Sequence, residues 1–113
     1  MSKVPYRLRR PEKRTSCVVF SSPHSGCDYP SDMLERSILD PLTLRSSEDA
    51  YVDQLFENTP NYGATFLNAI YPRAWVDLNR RSDELDPALI ESVLGRGLNA
   101  RVLSGLGVIP RVV

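Results

Sequence analysis

The chain is poor in the residues that announce several protein classes. One histidine and two cysteines are spread over 113 residues. Cys17 and Cys27 reproduce neither the paired spacing of a zinc ribbon nor a disulfide framework, so two reduced thiols are expected. No run of about 18 apolar residues occurs, which excludes a transmembrane helix of the usual kind. The first residues bring positive charge without the apolar segment of roughly 7 to 15 residues that a secretory signal needs. A cytoplasmic protein with no membrane partner is the expectation. Internal repeats and low-complexity segments are also missing. Neither sign of charge dominates, with 14 Lys and Arg against 14 Asp and Glu, which argues against a protein that coats nucleic acid.

What charge there is lies unevenly. Residues 1–16 hold six Lys or Arg and one Glu, leaving the remainder acidic. That segment reads as a solvated basic arm, with residues 17–113 forming a single domain. A chain of this length buries roughly 65% of its extended surface on folding and is too short for two domains. Its 42% hydrophobic content is that of an ordinary globular protein.

Residues 15–21, TSCVVFS, form a β-branched apolar run that predicts a buried, central strand. A loop with two prolines and a glycine follows, and Ser31 is positioned to cap a helix over 32–39 that turns Leu34, Ile38 and Leu39 to the sheet. A second helix is expected from Ser46 or Ser47, with Glu48 and Asp49 in its first turn and Val52, Leu55 and Phe56 as its apolar stripe. ATFLNAI (64–70) and RAWVDL (73–78) read as strands, paired either as a hairpin or through a crossover. Asp86 and Pro87 open a helix expected to run through Leu94 to Gly95. The apolar run VIPRVV ends the sequence without a closing helix, a pattern expected of an incomplete domain. The order of elements is that of an α/β fold, a mixed sheet flanked by helices.

Three short stretches carry polar groups where chemistry is normally placed. SSPHSG (21–26) follows the first strand, as reactive groups do at the carboxyl ends of strands in α/β enzymes. His24 there suits a metal ligand, a general base or part of an anion site, with Ser25 supporting it; a merely structural histidine is the competing reading. SSED (46–49) is explained by helix capping, or by one of its carboxylates serving as a metal ligand beside His24. VDLNR (76–80) places a carboxylate, an amide and a guanidinium directly after an apolar run. Arg80 offers a planar fork for a carboxylate and Asn79 both a donor and an acceptor, so a carboxylate-bearing ligand fits. An internal Arg–Asp pair pinning the loop is the alternative.

Taken in order, SSPHSG, SEDAYVDQLF, GATFLNAIYPRAWVDLNR, ELDP and SGLGVIPRVV resemble the N-terminal part of the N-formylglutamate amidohydrolases, from about residue 17 onward. The resemblance implies a zinc-carboxypeptidase-like fold, related to that of the aspartoacylases, and zinc-dependent hydrolysis of N-formyl-L-glutamate or a similar N-acyl amino acid. It makes His24 a zinc ligand and Asp49, or its neighbour Glu48, the carboxylate ligand. Asn79 and Arg80 become the clamp for the substrate carboxylate, with Asp77 a residue that fixes the loop or the ligand. Zinc carboxypeptidases and aspartoacylases carry Glu three residues after the first His; Cys27 stands there instead. Tyr51 occupies a position where some family members have His. The remaining zinc-binding histidine and the general base are implied to lie downstream of Val113, so the chain is expected to be an inactive portion of a hydrolase. A non-catalytic module that binds anions or amino acids through the same Arg80 and serine loop is the rival function.

Overall fold

A computed structural model describes residues 4–93, 95 and 97–112. Its centre is a mixed three-stranded sheet of β1 (Tyr6–Arg9), β2 (Val19–Ser22) and β3 (Thr65–Ala69), in the order β1-β3-β2. β1 runs antiparallel to β3, Tyr6 opposite Ala69 and Arg9 opposite Phe66. β2 runs parallel to it, Phe20 opposite Phe66 and Ser22 opposite Asn68. The expected α/β class is therefore found, but the central strand is β3, not the run at 15–21. β2 is an outer strand of this sheet, with Val19 and Phe20 exposed, as is Val18 just before it.

The basic arm is not simply solvated. Tyr6-Arg7-Leu8-Arg9 alternates with the period of a strand, and β3 supplies the partner that its backbone groups require. Phe66 is fully buried on one face, a contribution of about 1.5–3 kcal/mol by apolar burial. The Arg9 guanidinium stands 5.0 Å from its ring centre, and Phe20 packs on Phe56 with ring centres 5.7 Å apart. On the opposite face Tyr6, Leu8 and Val19 remain exposed. The radius of gyration, 15.9 Å, exceeds the roughly 13 Å of a compact chain of about 100 residues. These elements are correspondingly thinly covered.

Helices are short. α1 (Ser31–Arg36) starts from Pro30, not from a Ser31 cap, and no side chain caps it. It ends at Arg36, where Ser37 turns extended, three residues before the end expected from the sequence. Met33 is its buried residue; Leu34 and Leu39 are partly exposed and Ile38 is 99% exposed. The expected apolar stripe thus faces away from the sheet, because the chain stops being helical before its third turn. α2 (Pro41–Leu44) has Pro41 at its start and Asp40 as cap, whose Oδ1 accepts from the Leu42 and Thr43 amides at 3.0 and 3.1 Å. The expected helix from Ser46 or Ser47 to Phe56 is broken. Arg45–Ser47 is a 3-10 turn, Glu48 is extended, and Tyr51 adopts φ 65° before α3 (Val52–Leu55) begins. Tyr51 in the left-handed region cannot continue a helix.

Residues 73–78 form turns rather than a strand. The Trp75 amide donates to the Pro72 carbonyl at 3.0 Å, and that of Asp77 to Val108 at 2.8 Å. The helix expected after Asp86 is a single turn: Asp86 caps Ala88 through Oδ1 at 2.8 Å, but Ser92 has φ 61°. α4 (Ala100–Leu103) is capped by Asn99, which accepts from the Val102 amide at 3.0 Å. No strand forms among the described residues of the terminal run; Arg111 instead reaches back to Asp86 Oδ2 at 2.9 Å. Leu94 and Val113 lie outside the described residues. Glu84 ties this last region together. Its Oε1 accepts from Asn99 Nδ2 at 2.6 Å and Arg101 at 2.7 Å, and its Oε2 from the Arg81 amide at 2.7 Å. Those bonds, the Asn99 amide first, hold its carboxyl down at about 2.

Candidate active site

Parallel pairing of β2 and β3 brings two polar loops to one end of the sheet, the carboxyl ends of both strands. The loop after β2 carries His24 and the one after β3 carries Asp77. Gly26 lets them approach, since a Cβ at that position would overlap the Tyr71 carbonyl oxygen. The Asp28 amide then donates to the Ile70 carbonyl at 3.1 Å and fastens the two loops. Ser22 and Ser25 are both buried, their hydroxyl oxygens 2.6 Å apart. Ser25 thus shapes the turn that presents His24, and its hydrogen bonds go to Ser22.

The His24 ring lies between two carboxylates. Nε2 is 2.8 Å from Asp77 Oδ1, while Nδ1 faces Asp49 Oδ2 at 3.6 Å. Asp49 is held there by its own amide, which donates to the His24 carbonyl at 2.9 Å. The two carboxylates differ greatly in exposure: the Asp77 side chain is 2% exposed and that of Asp49 54%. Asp77 Oδ1 also accepts from the Asn79 amide at 2.9 Å, and Oδ2 from Arg73 at 3.0 Å. Burial alone would raise the Asp77 carboxyl. The hydrogen bond from His24, the Asn79 amide and the charges of His24 and Arg73 outweigh it and leave the carboxyl below its ordinary value.

Glu48 and Asp49 are separated by the structure in the way that the sequence left open. Glu48 is turned inward, its side chain 2% exposed. Tyr29 Oη donates to its Oε1 at 2.6 Å, and Arg45 to both of its oxygens at 3.1 and 3.3 Å. The Tyr29 hydroxyl is pushed up by burial and by that carboxylate. Asp49, by contrast, offers its carboxylate to the side of His24 that Asp77 leaves open.

Of the pair expected to clamp a carboxylate, Asn79 is exposed and its side chain makes no hydrogen bond among the described residues. Arg80 is more engaged: Nε donates to the Leu106 carbonyl at 2.9 Å and one terminal nitrogen to the Asn79 carbonyl at 3.0 Å. The other terminal nitrogen stands 3.8 Å from Asp77 Oδ2. The internal reading of VDLNR is thus partly realised, with Arg80 pinning the loop beside Asp77 and the Asn79 side-chain amide left open. The sequence reading missed Arg73, which lies outside that motif; a second cation one turn before a buried Asp was the available signal.

The donor set accommodates part of a zinc site. A metal-binding imidazole characteristically gives its second nitrogen to a carboxylate, as Nε2 does to Asp77. Two ligands at about 2.0–2.2 Å in tetrahedral array stand roughly 3.4 Å apart, close to the separation of His24 Nδ1 and Asp49 Oδ2. No group of three or more His, Cys, Asp or Glu able to hold a metal occurs among the described residues. Cys17 and Cys27 are free and exposed. No helix is long and apolar enough to cross a membrane.

The model of the N-formylglutamate amidohydrolase family matches residues 16–113. A crystal structure of N-formylglutamate amidohydrolase from Ralstonia eutropha JMP134 superposes with a TM-score of 0.81 at 38% sequence identity, over 94% of this chain. The match spans 38% of that enzyme's chain. No curated protein matches. With the family model matching residues 16–113 and the fold shared with a solved enzyme, the chain belongs to the N-formylglutamate amidohydrolase family.

Proposed function

We propose that this chain forms part of a cytoplasmic, zinc-dependent amidohydrolase of the zinc-carboxypeptidase type. Its substrate is N-formyl-L-glutamate or a similar N-acyl amino acid, cleaved to formate and the free amino acid. The observation that carries the reading is His24 held between buried Asp77 and exposed Asp49. His24 Nδ1 and Asp49 would hold the metal, and Asp77 fixes the imidazole by taking its other nitrogen. Zinc held there would supply Lewis-acid chemistry toward the formyl carbonyl and would make water more acidic. Asn79 and Arg80 receive the substrate carboxylate, using binding energy to orient the amide. Glu48 remains a structural anchor, its oxygens already satisfied by Tyr29 and Arg45.

A catalytic zinc needs three protein ligands and a carboxylate or similar base. Only two of these ligands are assigned among the described residues, and the solved relative has most of its chain outside the match. The third ligand and the base are therefore expected from further polypeptide, and the 113 residues alone are expected to bind zinc weakly and release no formate. The test is zinc titration under reducing conditions, with a formate assay on N-formyl-L-glutamate. It compares this chain with a chimera in which residues 4–112 replace the matched segment of the Ralstonia enzyme. One zinc and turnover by the chimera alone support the proposal. Tight one-to-one binding with turnover by the short chain, or a folded chimera that binds no zinc, overturns it.

A further inference from the structure

Arg73 precedes the motif that marks the site, yet it holds the second oxygen of the carboxylate on which His24 rests. Asp77 Oδ1 is taken by His24 and the Asn79 amide; Oδ2 accepts from Arg73 at 3.0 Å. The nearest other cation, Arg80, is 3.8 Å from Oδ2, beyond hydrogen-bond reach. With Asp77 almost fully buried, solvent is poorly placed to replace a lost partner. Arg73 itself is set by the turn in which the Trp75 amide closes on the Pro72 carbonyl, and the bond to Asp77 is its only one among the described residues.

We infer that Arg73 is a positioning residue: it fixes the plane of the Asp77 carboxylate so that the His24 proton stays on Nε2 and the Nδ1 lone pair faces Asp49. The torsion of a carboxylate about its last bond is broad and two-fold, so hydrogen bonds at both oxygens are what define it. Without Arg73, Oδ2 is drawn toward Arg80, Oδ1 swings off the imidazole, and both ring tautomers become populated. The inference rests on the reading of His24 as a metal ligand through Nδ1, but the position of the ring proton is measured without metal.

His24 is the only histidine, so nitrogen NMR of the isotope-labelled 113-residue chain gives one pair of ring signals with no ambiguity of assignment. The spectrum is taken at a pH where the ring is neutral. The native chain is expected to show one protonated nitrogen, Nε2, and one unprotonated nitrogen, Nδ1. Arg73→Met should give averaged signals from two tautomers and weaken zinc binding by roughly tenfold or more. Arg73→Lys, which restores a single donor, should recover the native pattern. If Arg73→Met does not fold, judged by the Trp75 indole signal, Arg73→Lys decides: the native tautomer supports the inference and a mixture overturns it. A native chain with the proton on Nδ1, or a folded Arg73→Met with unchanged ring signals, also overturns it. A shifted tautomer with unaltered zinc affinity would uphold the positioning role and reject metal binding through Nδ1.

Discussion

Two carboxylates, Asp77 and Glu84, are each only 1% exposed and each gathers an amide and a guanidinium, but their surroundings differ in what is left over. Around Glu84 the partners are Asn99, Arg101 and the Arg81 amide, and the result joins α4 to the preceding turn. Around Asp77 one partner is an imidazole with a second nitrogen still facing outward, toward the exposed Asp49. A buried, charge-paired carboxylate is thus no marker of a site by itself. The marker is a partner that passes the carboxylate's influence to a group that a ligand can reach.

Replacing each hub by alanine is the broadest way to break the comparison. Asp77→Ala leaves Arg73 and the His24 ring without their acceptor, which should destabilise by about 3–5 kcal/mol and weaken zinc binding roughly 10- to 100-fold. Glu84→Ala should lower the thermal midpoint while the folded protein keeps native zinc affinity. Thermal unfolding and zinc titration on both variants check this, and an equal loss of zinc affinity in Glu84→Ala would erase the distinction.

Next in size is the substrate side of the site. In the active chimera, Arg80→Ala should raise KM for N-formyl-L-glutamate by about tenfold or more, the worth of a charged hydrogen bond, with zinc content unchanged. Arg80→Lys should also be impaired, since a point charge replaces neither the planar fork nor its bond to Leu106. Steady-state kinetics with metal analysis separates the two roles; joint loss of zinc and activity would make Arg80 a purely structural residue.

The part of this that was legible from the sequence is the placing of polar loops after apolar runs. CVVF followed by SSPHSG does end a strand, and the loop after β3 does meet it. What misled was local chemistry read without its tertiary partners. SSED has the composition of a helix start, yet Tyr29 and Arg45 take Glu48, the His24 carbonyl takes the Asp49 amide, and Tyr51 turns left-handed before the helix begins. RAWVDL looked like a strand because it is apolar, whereas Pro72 and the bond from the Asp77 amide to Val108 hold it in turns. Residues 6–9 carried a two-residue alternation that their positive charge concealed, and only β3 reveals it as a strand.

A smaller effect is the response to acid. Glu84 has its carboxyl lowered from 4.5 to about 2, so its contribution is fully present above about pH 4.5 and is lost as pH falls toward 2. Acid unfolding followed by circular dichroism should steepen in that window, and Glu84→Gln should remove that part of the slope. Smaller again is Gly26→Ala, whose methyl group must push back the Tyr71 carbonyl. A stability loss of about 1–3 kcal/mol is expected from overpacking, with zinc affinity falling only as far as the two loops separate.

The most direct measurement compares the neighbours Glu48 and Asp49. Zinc titration of the folded chimera is expected to show affinity lost in His24→Ala and Asp49→Ala but largely kept in Glu48→Ala, whose cost should appear in thermal stability instead. Retention of zinc by Asp49→Ala together with its loss in folded Glu48→Ala would contradict the assignment, because the inward carboxylate would then be the ligand and the exposed one incidental.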